Sequence, residues 1–460
     1  MRSPDTIPSQ RAPLRPLLVK ELRGVATGRA LWTMLLLVCP LIGYSYFQAL
    51  SLYAEASIAG QQSPVLAASL SPLDGVLVPT FGASYVAITL LFPFVAIRVL
   101  GHEKETGVLR LLIQLPYRSS TLIAAKLAAI LAAWCIVSIP VLCSLVLWTA
   151  SGGHLALPET ANLVAGHLIY GLLIGAIGLF AASISDSAAT AAIVTLAFTI
   201  GSWVLDFTVA GQPGWMEWLA RLSLTLVLRP FEHGLLPIGL IAGAAAVIGA
   251  FVVLAGLWMP PGVSTRIKFM RSAGIIIAAV ALVSLASQIT TSIDVTEDRR
   301  NSFATADQRT LAKLGDPLSV TVHLAPEDPR YLDLNRDVLA KLKRVMPNVA
   351  IRLAARRQSF TDTTSDESYG AMEFAYGGRT ETTRSTSPSE ILPLLYGLAG
   401  VDLPVPMLDG EYPGYPLIAD SDITLAWYFG GLPLLIVIAW WWSRRPPPII
   451  HHQSLKEIKP

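Results

Sequence analysis

Eight apolar runs, each close to the roughly 20 residues that a helix needs to cross a bilayer, constrain this chain more than any other feature. They are Leu31–Leu50, Val78–Leu100, Thr121–Thr149, Ala161–Ile184, Ala188–Phe207, Leu235–Trp258, Ala273–Ile289 and Thr424–Trp442. Charge is placed to match. Residues 1–290 carry only 16 Lys+Arg and 11 Asp+Glu, whereas residues 291–422 carry 14 and 20, the density of an ordinary soluble domain. The expectation is a polytopic α-helical membrane protein of about eight transmembrane helices, with an α/β domain between the last two. A soluble enzyme is excluded, and a net charge of +2 argues against a nucleic-acid binder.

Orientation follows the Lys/Arg bias of the loops. With the N-terminus inside, segments 1–29, 98–120, 259–272 and 443–460 together hold 17 Lys+Arg, against Arg221 and Arg229 alone in the short outer loops. Both termini are then cytoplasmic, and 291–422 lies outside. The first 29 residues read as lacking a cleavable signal. Asp206 and His167 are the ionisable residues noted in or near the spans, and both are expected at the interface. This weighs against a carrier that couples protons through buried carboxylates. Cys39, Cys135 and Cys143 lie in apolar runs and read as packing residues.

The most informative stretch joins the second and third runs: "EKETGVLRLLIQLPYRSSTLIAAK", residues 103–126. Val108, Leu111, Leu112 and Leu115 recur at helical spacing and predict one apolar face. Glu103 and Glu105 precede that face, as the helix dipole favours. Pro116 stops the helix, and Ser119 or Ser120 can cap the next one. The predicted product is a short amphipathic helix lying at the inner surface.

This stretch resembles the coupling helix of type-2 ABC exporter permeases. Glu103, Glu105, Thr106, Gly107, Leu109, Leu112 and Pro116 match the family's pattern, as does Lys126. In the family this element contacts the ATPase subunit, so the resemblance implies an ATPase-contact role for those seven residues. "PLRPLLVKELRGVATGR", residues 13–29, resembles the family's elbow helix along the inner leaflet, with Leu17, Leu18 and Leu22 as its stripe. Segment 212–234, with Trp215 and Trp218, falls where the family has short re-entrant helices. The implied domains are a cytoplasmic N-terminus and elbow (1–29), a six-span permease core (30–259) with coupling helix 103–115, and a seventh span (272–290). An extracytoplasmic auxiliary domain (291–422), an eighth span (423–443) and a cytoplasmic tail (444–460) complete it.

The chain has no G-x-x-x-x-G-K-[ST] motif and no Gly-Lys pair, so it has no P-loop of its own. The resemblance implies no cofactor on this chain and no catalytic residue. ATP and Mg would belong to a separate P-loop ABC ATPase. It also implies a homodimer or heterodimer of permeases, contact with membrane lipid, and the inner membrane of a bacterium.

In the α/β segment, Leu318, Val320, Val322 and Leu324 alternate with polar residues and predict a strand. Leu334–Val345 carries a helical stripe, and Val349, Ile351 and Leu353 predict a second strand, giving a β-α-β unit. Met372–Tyr376, Gly377-Gly378 and Arg379–Thr383 predict a hairpin. Pro388–Leu398 predicts a short helix, and 404–416 an extended return to the membrane. "DVTEDRRNSF" resembles the opening of the auxiliary domain of gliding-motility-type ABC transporters, but this domain is shorter. A periplasmic partner or cargo could meet it. His323, Glu327 with Asp328, Asp366 with Glu367, and His451-His452 read as solvated or structural residues rather than metal or catalytic groups. Substrate export or envelope remodelling driven by the ATPase is the function expected. A membrane-anchored scaffold or sensor without transport is the alternative.

Overall fold

The fold comes from a computed structural model that describes residues 14–209 (side chains to Leu205), 223–325, 328–346, 348–354, 368–405, 412–419 and 421–445. Trp215, Trp218, Glu327, Asp366, Glu367, His451, His452 and the Asp206 side chain lie outside the described residues.

Among the described residues, eight helices are long and apolar enough to cross a membrane: Arg29–Gly60, Leu73–Glu105, Ser119–Ala150, Leu157–Ile184, Ala188–Leu205, Ile238–Trp258, Thr265–Ala286 and Asp422–Ser443. Each contains or overlaps one apolar run. Several outrun their run because polar residues continue the helix beyond bilayer depth. The first reaches Gly60 and the second Glu105. The third breaks at Ser138, one residue ahead of an Ile139-Pro140 start, since proline carries no amide hydrogen to continue the ladder. The seventh begins at Thr265 and so takes in Arg266, Lys268 and Arg271. Lys268 Nζ donates to the carbonyls of Trp258 (3.1 Å) and Pro260 (2.8 Å), closing the end of the sixth helix.

The seventh span packs on the sixth and the eighth on the first. Gly43 makes the second contact close: a Cβ there would stand 2.2 Å from Tyr428 Cβ. Cys39 Sγ donates to the Tyr428 carbonyl at 3.2 Å, and Tyr428 OH to the Pro140 carbonyl at 2.8 Å. The two spans that carry the α/β domain therefore grip the core through different helices. His167 is not interfacial as expected. It is fully buried, with its ring nitrogens 3.0 Å from the Leu163 carbonyl and 3.1 Å from that of Phe81. Those carbonyls supply the partners that water would supply at an interface.

At one end of the bundle, β1 (Leu235–Pro237) pairs antiparallel with β2 (Ser292–Asp294). Leu235–Pro237 was expected to open the sixth span. It is extended instead, and Pro237 precedes the helix that starts at Ile238. Beyond β2 stands a sheet of β3 (Leu318–Val322), β4 (Val349–Leu353), β5 (Met372–Tyr376) and β6 (Arg379–Thr383), in the order β4-β3-β5-β6. β3 and β4 run parallel, joined through helical residues 329–345, and β5 with β6 is the expected hairpin. Leu318, Val320, Val322, Met372 and Phe374 are fully buried against Leu334, Val338, Leu342 and Ile391, so the helices cover one face of the sheet.

The link between this domain and the bundle is dense in polar contacts. Asp294 accepts from Thr296 N and Oγ1 (3.1 and 2.6 Å), Asn301 N (3.1 Å) and Ser302 Oγ (2.7 Å), which folds residues 294–302 around one carboxylate. From that loop, Arg300 donates to Ser71 Oγ at 2.5 Å and pairs with Asp74. Asn301 Nδ2 donates to the His233 carbonyl at 2.6 Å. The returning segment 412–419 lies against the first span. Tyr53 OH donates to the Tyr415 carbonyl (2.7 Å), and Leu417 N donates to Ser57 Oγ (2.9 Å).

Candidate functional site

At the opposite end of the bundle the second span runs out through Glu103, Lys104 and Glu105. These three consecutive side chains point to three different places, because successive helical positions are about 100° apart. Each one fastens another helix.

Glu103 turns inward. Its Oε2 lies 2.5 Å from Lys126 Nζ at the start of the third span. Lys126 also donates to Glu21 Oε1 of the N-terminal helix Leu14–Ala26 (3.2 Å) and to the Val99 carbonyl (3.0 Å), so all three of its protons have acceptors. Lys20 pairs with Glu21 at 3.1 Å and also with Glu103. The result is a neutral quartet in which Lys126 has no solvent exposure at all and Glu21 and Glu103 are buried. Burial pulls the Lys20 ammonium below the usual lysine range, opposed by the charge of Glu21 beside it.

Lys104 turns the other way. Its Nζ donates to the carbonyls of Ser183 (3.0 Å) and Ser185 (2.5 Å), the unpaired end of the fourth span. Glu105 Oε1 accepts from Ala188 N at 2.9 Å, the first amide of the fifth span. A cation therefore caps a helix C-terminus and an anion caps a helix N-terminus, each on the favourable end of the dipole. The tight turn 185–187 lies between them.

Thr106 Oγ1 donates back to the His102 carbonyl at 2.8 Å. Gly107 then takes φ +76°, a left-handed conformation that costs glycine nothing and any side chain something. This bend turns the chain into the seven-residue helix Val108–Gln114, and extended Leu115 with Pro116 ends it. The expected single apolar face is in fact two. Leu109 is buried, and Leu112 and Ile113 pack on the bundle beside it. Leu111 and Leu115 face away, with Leu111 at 64% exposed, and Val108 is exposed at the rim of the gap between the N-terminal helix and the second span. A helix that is apolar on both sides can hold to its own bundle and still present an apolar surface outward.

The seven residues singled out in the sequence thus gather at one corner, but in different roles. Glu103, Glu105 and Thr106 bond within the chain, Gly107 makes the bend, Leu109 and Leu112 anchor the helix, and Pro116 stands exposed at its end. Lys126 was matched as part of a pattern without being recognised as a buried charge. The signal was available, since a lysine five residues inside the run Thr121–Thr149 calls for a carboxylate. Glu21 had no such signal, being one acid in a basic segment.

At the α/β end, His323 Nδ1 lies 3.3 Å from Ser368 Oγ. Asp328 caps the helix Pro329–Leu334, accepting from Arg330 N at 2.9 Å, and pairs with the Arg330 side chain. The hydrogen-bonded guanidinium holds the Asp328 carboxyl down to about 2. Among the described residues, no three His, Cys, Asp or Glu side chains are grouped to hold a metal ion.

Residues 15–211 match a family model described as "ABC-2 family transporter protein". The match begins in the N-terminal helix, covers the whole corner built on Glu103–Glu105, and ends just beyond the fifth span. No curated protein and no solved structure matches the chain.

Proposed function

We propose that the chain is the permease subunit of an ATP-driven ABC exporter, moved by a separate P-loop ATPase that docks on Val108–Gln114. The match of residues 15–211 to the ABC-2 family model and the eight helices long and apolar enough to cross a membrane support this reading. One observation carries the docking. The helix that carries the outward Leu111 and Leu115 begins three residues after Glu105, directly behind three side chains that fasten the N-terminal helix and spans three, four and five. A displacement of the short helix would reach four other helices through contacts that resist stretching. An apolar face on a loop beyond the bundle also calls for a protein cover.

In this reading the corner is cytoplasmic, both termini lie inside, and the α/β domain stands outside. The basic loops support that orientation. Two copies, or this chain with a similar one, would enclose the pathway. The α/β domain, held at Asp74, Ser71 and the first span, would move with the outer ends of the first two spans and present them to cargo or to an envelope component.

The test is a pull-down of the tagged full chain from its native membrane, read by mass spectrometry. A P-loop ATPase should co-purify with the wild type and be lost from Leu111→Asp, whose charge replaces the most exposed leucine of the helix. Wild-type recovery of the ATPase by Leu111→Asp would refute the docking site. Its absence throughout would favour the anchored-scaffold alternative.

A further inference from the structure

Arg98 lies on the second span, seven residues before that helix ends at Glu105, which places it about 10 Å inside the end of the helix. It is exposed, and no described carboxylate answers it. Glu21 and Glu103 are engaged by Lys126 and Lys20, and Glu105 accepts from Ala188 N. The apolar run of this span ends at Leu100, so Arg98 stands at the membrane–water boundary, the height of lipid phosphates.

Two cavities meet at this side chain. One, of about 330 Å³, lies between the N-terminal helix and the second span and is bounded by Lys20, Val25, Val99 and His102. The other, of about 290 Å³, lies between the second and fifth spans, against Phe94, Ile97 and Ala192. His102 lines both and stands one turn beyond Arg98 on the same helix face. The corner combines a polar head with an apolar wall. Lys20, Lys104 and Lys126 are each engaged by a carboxylate or by carbonyls of the chain, whereas Arg98 has no hydrogen bond or ion pair among the described residues.

We propose that this corner binds an anionic phospholipid from the leaflet at the same end of the bundle. Arg98 grips the phosphate, His102 and Lys20 flank it, and an acyl chain lies along Phe94, Ile97 and Ala192. The guanidinium fork suits two phosphate oxygens at once. The unengaged guanidinium, with its charge unanswered by the chain, favours an anionic headgroup over a zwitterionic one, whose own ammonium would meet Glu103 and Glu105 already engaged. The lipid would wedge the N-terminal helix against the second span directly beside the Glu103 quartet. This site stands whether or not an ATPase docks on Val108–Gln114.

The experiment is native mass spectrometry of the purified full chain after exposure to mixed phosphatidylglycerol and phosphatidylethanolamine. The wild type should retain phosphatidylglycerol in preference. Arg98→Gln should lower that retention about fivefold, the effect of about one interfacial cation, and Arg98→Lys should lower it less. Arg271→Gln, an exposed arginine on the seventh span, should leave it unchanged. Millimolar inorganic phosphate should not displace the lipid. If Arg98→Gln does not fold, His102→Ala carries the same expectation and the same refutation. Equal retention by wild type and variant, equal binding of both lipids, or displacement by free phosphate overturns the proposal. So does loss of a dimer mass in place of lipid, which would make a second copy's acid the partner of Arg98.

Discussion

Replacing Lys126 by methionine removes the ammonium that Glu21 and Glu103 share, while keeping the length and apolar stem of the side chain. Lys126 has no solvent exposure, and its ammonium lies 2.5 Å from one carboxylate and 3.2 Å from the other. After the change, two buried acids face each other with only Lys20 beside them, and that lysine is 40% exposed. Deleting one member of a buried ion pair costs about 3–5 kcal/mol, because the remaining charge keeps its desolvation penalty without its partner. The partial compensation by Lys20 puts the expectation near the lower figure. If the cause is the stranded charge, then adding Glu103→Gln to Lys126→Met should recover about 1–3 kcal/mol relative to the sum of the two single changes. The assay is reversible unfolding of the purified full chain in mixed micelles, followed by helical circular dichroism, for both singles, the double and the Arg271→Gln control. A Lys126→Met cost within about 0.5 kcal/mol of wild type, the range of exposed substitutions, would rule out a stranded buried charge. So would strictly additive singles.

Other expectations follow from the same contacts. Leu109→Asp places a charge where the structure buries a leucine, and should destabilise the fold by about 3 kcal/mol or more. Leu111→Asp should leave unfolding unchanged and remove only ATPase recovery. At Gly414, with φ +66°, a Cβ would lie 1.7 Å from the Ala67 carbonyl oxygen. Gly414→Ala should therefore release the returning segment, read as faster amide exchange at Tyr415 and Leu417 with exchange in the second span unchanged. Asp328 has its carboxyl depressed from 3.8 to about 2 in the folded domain. Its contribution to stability is thus full above about pH 4 and is lost as pH falls toward 2. An acid titration of the α/β domain's unfolding should lose that component in Asp328→Asn.

What the sequence made legible was whatever is written as periodicity. The eight apolar runs, the alternation in Leu318–Leu324 and the Gly377-Gly378 turn each carry a local physical cause, and each forms as expected. Contacts between distant segments have no such signature. Asp294 looks like one acid in an acidic stretch until the chain folds around it, and the Tyr53 contact to Tyr415 joins positions 362 residues apart. The short helix shows the limit of a one-face reading. Val108, Leu111, Leu112 and Leu115 fit a single stripe by spacing alone, yet seven residues make barely two turns. Leu112 packs inward with Leu109, while its neighbours Leu111 and Leu115 remain outside. The Glu-Lys-Glu triplet was read as dipole chemistry for the helix that follows it. Glu105 and Lys104 do serve helix dipoles, but those of spans five and four, which lie about 80 residues further along the chain.

In the proposed mechanism, force from an ATPase enters through the outward face of Val108–Gln114. A photo-crosslinking residue placed in turn at positions 111, 115 and 109 of the full chain, irradiated in the native membrane, tests it most directly. An adduct with a P-loop ATPase is expected from 111 and 115 and none from 109, which is buried against the bundle. Adducts with lipid alone from 111 and 115 would contradict that mechanism, as would an ATPase adduct of equal yield from 109.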